Sequence, residues 1–282
     1  MKRIISASRR TDLVAFFPAW LVAALQNGKV RVLGPSGRSF TADLRPEVVH
    51  TIVLWSKDFS SLIRDVHGLR RALEKYDQLY FLFTVTGLGG TFIEREVPPP
   101  EAALGQLREI VNIAGNPRRV SLRFDPIVFW QEDGEQKSNL GFFERAAESA
   151  ADAGVRDIRF SFTQWYGKAL RRARRHHFNY EDPEESRKIE AARWLVEIAG
   201  RWDLRLHACS QAFLAKVPGI RPSSCIDGAL LRELHPSLAE ASVAKDRSQR
   251  PECGCTESVD IGSYAQACPH ACLYCYANPR IS

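Results

Sequence analysis

Short apolar or β-branched runs recur along this chain with amphipathic stretches between them, an alternation that predicts a parallel sheet with crossover helices. Six runs read as strands, at residues 4–8, 51–55, 80–86, 120–128, 158–163 and 204–209. Between them Leu62, Ile63, Val66, Leu69 and Leu73 fall at helical spacing, as do Leu104, Leu107, Ile110 and Val111, so each stretch has one face to lay on the sheet. The apolar run from Leu13 to Leu25, opened by Asp12 and stopped by Asn27-Gly28, predicts a helix with Pro18 near its first turn. Asp182, Pro183, Glu184 and Glu185 read as an N-cap, a first-turn proline and an acidic turn, opening a further helix that closes before Gly200. Residues 30–41 have room for a hairpin, and the polar stretch 131–139 reads as one surface loop. Six βα units with no evident seventh or eighth predict an α/β fold, a TIM-barrel-like partial (β/α)6 barrel; eight units with two missed strands is the other count the pattern allows. The barrel is assigned to residues 1–220. Residues 221–282 are assigned to a cysteine-rich segment that folds over the strand ends.

Composition narrows the class. The chain of 282 residues is 45% hydrophobic and 26% charged, the balance of a folded domain rather than a disordered chain or a membrane bundle. The run from Leu13 to Leu25 falls short of the roughly 20 residues that cross a bilayer, so a cytoplasmic protein without a membrane partner is expected. Thirty-nine Lys+Arg against 33 Asp+Glu give a formal net charge of +6, which permits an anionic substrate without requiring nucleic acid. The strongest basic run, from Arg171 to His177, could meet phosphates, but Glu181, Asp182, Glu184 and Glu185 follow and partly neutralise it. A solvated helix face is therefore the plainer reading and nucleic acid the lesser one. Gly87-Leu-Gly-Gly90 is read as a turn rather than a phosphate cradle.

In a reducing compartment the seven cysteines predict thiols or metal sites rather than disulfides. Cys268, Cys272 and Cys275 form a C-x3-C-x2-C triplet with Tyr274 before its last member, and no fourth cysteine follows. A four-iron cluster held by three cysteines keeps one iron without a protein ligand, which makes it a chemical site rather than an electron store. The alternatives are a structural zinc site completed by His270 or an upstream cysteine, and plain free thiols; zinc more often closes its tetrahedron with two C-x2-C or C-x2-H units. Cys209, Cys225, Cys253 and Cys255 form a second set of four soft ligands, a candidate second metal site for zinc or an auxiliary iron-sulfur cluster. The plain reading of Cys209 is as a small buried apolar side chain at a strand end, and Cys253 and Cys255 could instead lend a ligand to the triplet.

The triplet and its aromatic neighbour resemble those of the radical S-adenosylmethionine enzymes. That resemblance implies a [4Fe-4S] cluster whose open iron chelates the amino and carboxylate groups of S-adenosylmethionine. Reductive cleavage of the sulfonium then starts radical chemistry on a substrate held in a partial (β/α)6 barrel. Those enzymes usually carry the motif after the first barrel strand, where this chain has Arg9, Arg10, Thr11 and Asp12 instead. Nearly the whole chain is similar to an uncharacterised family catalogued as domain of unknown function 1848. The similarity rests on Ser-Ala-Ser-Arg-Arg-Thr-Asp at 6–12, Val-Leu-Trp-Ser-Lys at 53–57, Arg-Phe-Asp-Pro at 123–126, and Ser-Val-Asp-Ile-Gly at 258–262 running into Tyr264 and the cysteines. The chain departs from that pattern at Leu13-Val14, in place of Ile-Pro, and at 32–34, which lacks an Asn-Pro pair.

Because α/β barrels place their chemistry at the strand ends, Arg9, Arg10, Asp12, Lys57, Arg123 and Asp125 are the candidates for holding the cofactor or an anionic substrate. Arg123 and Asp125 share a strand face and read equally as a structural ion pair. The expected function is that of a radical S-adenosylmethionine enzyme with an unknown small-molecule or anionic substrate and an electron-donating reductase such as flavodoxin or ferredoxin. A non-catalytic iron-sulfur module for electron transfer or redox sensing, with Cys255 or His270 as fourth ligand, is the first alternative. A zinc-stabilised structural protein is the second.

Overall fold

The apolar runs become strands of one large parallel sheet in a mixed α/β protein; the computed structural model describes residues 1–34 and 37–281. Eight strands make up the sheet: β1 (Arg3–Ala7), β2 (Val49–Ser56), β3 (Leu79–Thr84), β4 (Val120–Ile127), β5 (Asp157–Phe162), β6 (Arg205–Ala208), β7 (Ile220–Pro222) and β8 (Val259–Asp260). Their order is β7-β6-β5-β4-β3-β2-β1-β8, and each adjacent pair is parallel. Successive strands are therefore neighbours, except that β8 returns from far along the chain to lie beside β1, with Ile5 opposite Val259 and Ser6 opposite Asp260. The pattern showed six of these eight. β7 and β8 have three and two residues, too few for an alternation to register.

The helical stretches are more broken than their periodicity suggests. The run at 13–25 forms two helices, Leu13–Phe16 and Pro18–Gln26, because Pro18 cannot continue a helix but fits the first position of a new one. Positive φ at Asp65 and His67 divides Ser60–Ile63 from Leu69–Leu73. The next stretch splits into Pro100–Leu104 and Leu107–Ala114. Asp182 caps nothing: the helix is Glu185–Arg201 with Glu184 at its cap, and Asp182 binds Lys188 at 2.5 Å instead. A hairpin does occupy the 30–41 region, with Lys29–Leu33 antiparallel to Ser39–Asp43; residues 35–36 lie outside the described residues. The polar stretch expected as a loop is also a hairpin, Phe129–Glu132 against Glu135–Ser138. Asp133 and Gly134, both at positive φ, supply the tight turn that such a hairpin needs. No helix among the described residues is long and apolar enough to cross a membrane.

Alternation along the strands gives the sheet two different faces. Ile5, Ile52, Leu54, Phe81, Phe83, Leu122, Phe124, Ile158, Phe160 and Leu206 point to one side and join Leu21, Leu62, Leu107, Phe143 and Leu195 of the crossover helices in a continuous core. The opposite face carries Ile4, Val53, Trp55, Tyr80 and Leu82, packed against Ile226, Leu231, Leu234 and Ala241, from the helix Gly228–Leu234 and its surroundings. Arg123, Arg159 and His207 are lateral neighbours across β4, β5 and β6 and so point the same way. One face is thus an apolar interior; the other, the polar face, mixes apolar side chains with Arg123, Arg159 and His207 and is covered by the chain after β7.

Candidate functional site

The roof is tied down at β8. The Asp260 carboxylate accepts hydrogen bonds from Ser6 Oγ at 2.8 Å, Ser8 Oγ at 2.7 Å, Arg9 N at 2.8 Å and Gly262 N at 3.0 Å. Gly262 can lie there only because it lacks a Cβ, which would stand 2.0 Å from Ser8 Oγ. Arg10 Nη1 donates to Gly262 O at 2.9 Å, and its guanidinium sits over Tyr264. Tyr276 Oη donates to Arg9 O at 2.5 Å. The segments at 6–12 and 258–264, far apart in sequence, are therefore one structural unit.

Beyond it the cysteine triplet lies along the loop after β3. Leu273 N donates to Ile93 O at 3.0 Å and Glu96 N to His270 O at 3.4 Å, while Cys272, Leu273 and Tyr274 pack with Leu88, Ile93, Val97 and Phe178. Cys268 and Cys275 both act electrostatically on Cys272, so the three thiols share one neighbourhood. Burial, reinforced by the Asp12 charge, pushes the Cys268 thiol up to about 12. Burial and then Glu94 push Cys272 up, with Lys57 opposing. Ala277 N donates to Cys275 Sγ at 3.4 Å, and Arg172 Nη1 donates to the carbonyls of Leu273 and Cys275 at 2.9 and 2.7 Å.

Two acid-base pairs brace this segment. Asp12 caps the helix Leu13–Phe16 through Ala15 N at 2.9 Å, and it accepts from Ser56 Oγ at 2.8 Å and Lys57 N at 2.9 Å. Its Oδ2 also lies 2.8 Å from His270 Nε2, whose other ring nitrogen is 3.2 Å from Glu96 O. Lys57 Nζ is 2.8 Å from Glu94 Oε1, and Tyr274 Oη donates to the same carboxylate oxygen. Although burial opposes it, Glu94 and Cys272 hold the Lys57 ammonium above its ordinary range. Glu94 Oε2 is buried with no protein partner, an acceptor that a bound donor can satisfy.

Arg123 pairs with Asp125, which also accepts from Ser161 Oγ at 2.5 Å. The Arg123 guanidinium lies 5.0 Å from the Trp55 ring centroid and that of Arg9 5.3 Å from it. Of the rim residues predicted from sequence, Asp12 and Lys57 thus reach the triplet and Arg10 holds the segment leading to it. Arg9 and Arg123 instead face Cys225 and its neighbours, and Asp125 is the partner of Arg123. Glu94, Arg159 and Arg172 were not singled out individually. Glu94 comes from a loop with no periodic pattern, and Arg172 is one of several arginines in a run.

Among the described residues no three His, Cys, Asp or Glu side chains converge closely enough to hold one metal ion, and both nitrogens of His270 already face oxygens. In an iron-sulfur cluster each thiolate binds its own iron, so the sulfurs need not meet at a point. Lys57 and Arg172 supply positive charge beside thiols that must lose their protons to bind metal. No curated protein matches the sequence of this chain. Its residues 4–277 match the family described as Domain of unknown function (DUF1848), and the chain belongs to that family.

Proposed function

We propose that this DUF1848 member is an iron-sulfur enzyme of the radical S-adenosylmethionine type, with Cys268, Cys272 and Cys275 as the ligands of a [4Fe-4S] cluster. The observation that carries this reading is that the two fourth ligands the sequence offered, His270 and Cys255, are both engaged away from the triplet. His270 is engaged at both ring nitrogens by Asp12 and Glu96, and Cys255 lies with Cys225 and Cys253. An iron without a protein ligand is what S-adenosylmethionine requires, and the chemistry the pair supplies is reductive cleavage of a sulfonium C–S bond to start hydrogen abstraction.

The chain's own residues bind, orient and exclude. Asp12 and His270 fix the turn that carries Cys268 and Cys272. Lys57 and Arg172 offset thiolate charge, and Tyr274 closes on Glu94 and Lys57. The roof over the strand ends keeps water from a reactive centre. We read the sheet as a (β/α)8-type barrel with its seam between β7 and β8, which makes the polar face its interior. Arg123, Arg159 and His207, in one lateral row, suit an anionic small molecule, with Arg9, Arg10 and Asp125 around them.

The test is anaerobic reconstitution with iron and sulfide, then reduction in the presence of S-adenosylmethionine. Release of 5'-deoxyadenosine and methionine is expected, lost in Cys272→Ala. A reducible cluster that leaves S-adenosylmethionine intact would place the protein among electron-transfer or redox-sensing modules, and a colourless zinc protein would make it a structural one.

A further inference from the structure

A second set of thiols lies on the polar face of the sheet, apart from the triplet. Cys209 follows β6 and Cys225 follows β7, so two paired strands deliver them to the same sheet edge with their Sγ atoms 3.9 Å apart. Cys253 and Cys255 come to meet them as the chain returns toward β8. Gly254 between them is pressed against residues 223–224, where a Cβ would stand 2.6 Å from Ser224 Oγ and 2.9 Å from Ser223 O. Ser224 Oγ donates to Gly254 O at 2.9 Å. Cys255 interacts with Cys225 on one side and Cys253 on the other, and its sulfur accepts from Ile226 N at 3.4 Å. All four are free thiols.

Three guanidiniums close on this group. Arg9, Arg123 and Arg159 all lie within electrostatic reach of Cys225. Arg9 Nη2, Arg123 Nε and both Nε and Nη1 of Arg159 are buried with no hydrogen-bond partner. Arg159 is 3% exposed; its hydrogen bond is to Ser224 O at 3.1 Å, and no carboxylate among the described residues forms a salt bridge with it. Arg9 and Arg123 have carboxylate partners in Asp260 and Asp125, whereas neutral thiols offer Arg159 no countercharge, and an uncompensated buried charge is strongly unfavourable. A thiolate-bound metal centre is an anion whose sulfurs accept hydrogen bonds, which answers both deficits at once.

We propose that Cys209, Cys225, Cys253 and Cys255 hold a second iron-sulfur cluster, a centre that does not depend on the function proposed for the triplet. Four ligands complete it without an open iron. The Sγ atoms of Cys209 and Cys225, 3.9 Å apart, would also suit two ligands of one zinc ion, which lacks the acid-labile sulfide that a cluster carries. Assembly forms one Fe–S bond per cysteine and releases one proton from each thiol; iron enters as a ferric salt, part of it reduced to ferrous by dithiothreitol, which leaves as its disulfide, and sulfide is supplied by the reconstitution mixture.

The experiment uses the full chain with Cys268→Ala, Cys272→Ala and Cys275→Ala combined, reconstituted anaerobically with ferric iron, dithiothreitol and sulfide. Roughly half the wild-type iron, matched by acid-labile sulfide and a visible charge-transfer band, is expected to remain. Adding Cys225→Ser and Cys255→Ser should remove it. Iron absent from the triple variant, iron that survives the added substitutions, or zinc without sulfide would each overturn the proposal. If the added substitutions prevent folding, the wild-type count decides: iron beyond the four atoms of one [4Fe-4S] cluster supports a second centre, and four with no excess refutes it.

Discussion

Glu94 shows how a single side chain can matter without leaving a trace in the sequence pattern. Its carboxylate is wholly buried and its ion-pair partner Lys57 nearly so, and removing one partner of such a pair costs about 3–5 kcal/mol because the other is left charged and dry. Glu94→Leu should therefore lower the denaturant midpoint sharply, and adding Lys57→Met should restore most of the loss. A midpoint that Glu94→Leu leaves unchanged would show that the pair does not act as described. Asp157 makes a pH-dependent contribution. Burial raises its carboxyl, but hydrogen bonds from His207 at 2.9 Å and Arg205 at 2.9 and 2.8 Å more than reverse this and hold it well below the usual carboxylate range. Its folded value is thus depressed, so the stabilisation is complete above the unfolded value near pH ~4 and is lost as pH falls through the folded one. Asp157→Asn should flatten the acid limb of stability measured by urea unfolding between about pH 2 and 4. Asp12 and Lys57 were legible because polar residues follow apolar strands. Glu94 was not, since its position depends on how the loop after β3 meets the tail.

At the scale of elements, four- to eight-residue strands could be read from apolar runs, whereas β7 and β8 could not. β8 is a strand because of what Asp260 binds and because Gly262 fits against Ser8, neither of which is a periodicity. Gly262→Ala places a methyl group 2.5 Å from Ser8 Cβ, so it should destabilise the β1–β8 junction by about 1–3 kcal/mol. Hydrogen exchange should report it as faster exchange at Ile261, whose amide donates to Ser6 O at 3.0 Å, with β3 to β5 little changed. Uniform protection in the variant would mean that the close approach is not what holds the tail. The helices were legible in place but not in length, because Pro18 and the positive-φ residues Asp65 and His67 interrupt otherwise regular apolar spacing.

Across the whole molecule, the parallel sheet followed from alternating units, but the return of the chain to its first strand did not. The same return sets the triplet beside the helix Gly167–Arg175. That helix exposes Lys168, Arg171, Arg174 and Arg175 while Arg172 turns inward to Leu273 and Cys275. If electrons reach the triplet there from an acidic flavodoxin or ferredoxin, Arg171→Glu with Arg175→Glu should slow reduction by that protein about tenfold at low salt. Reduction by dithionite should stay as it was, and equal slowing by both donors would refute the docking role. The pairing of Ile5 with Val259 has a consequence for biogenesis. At ~5–20 residues per second on the ribosome, the earliest strand waits ~10–50 s for its neighbour. A nascent chain stalled before β8 thus lacks Cys268, Cys272 and Cys275 and the edge that anchors them, so loading of the cluster proposed above would follow synthesis of that segment rather than accompany it.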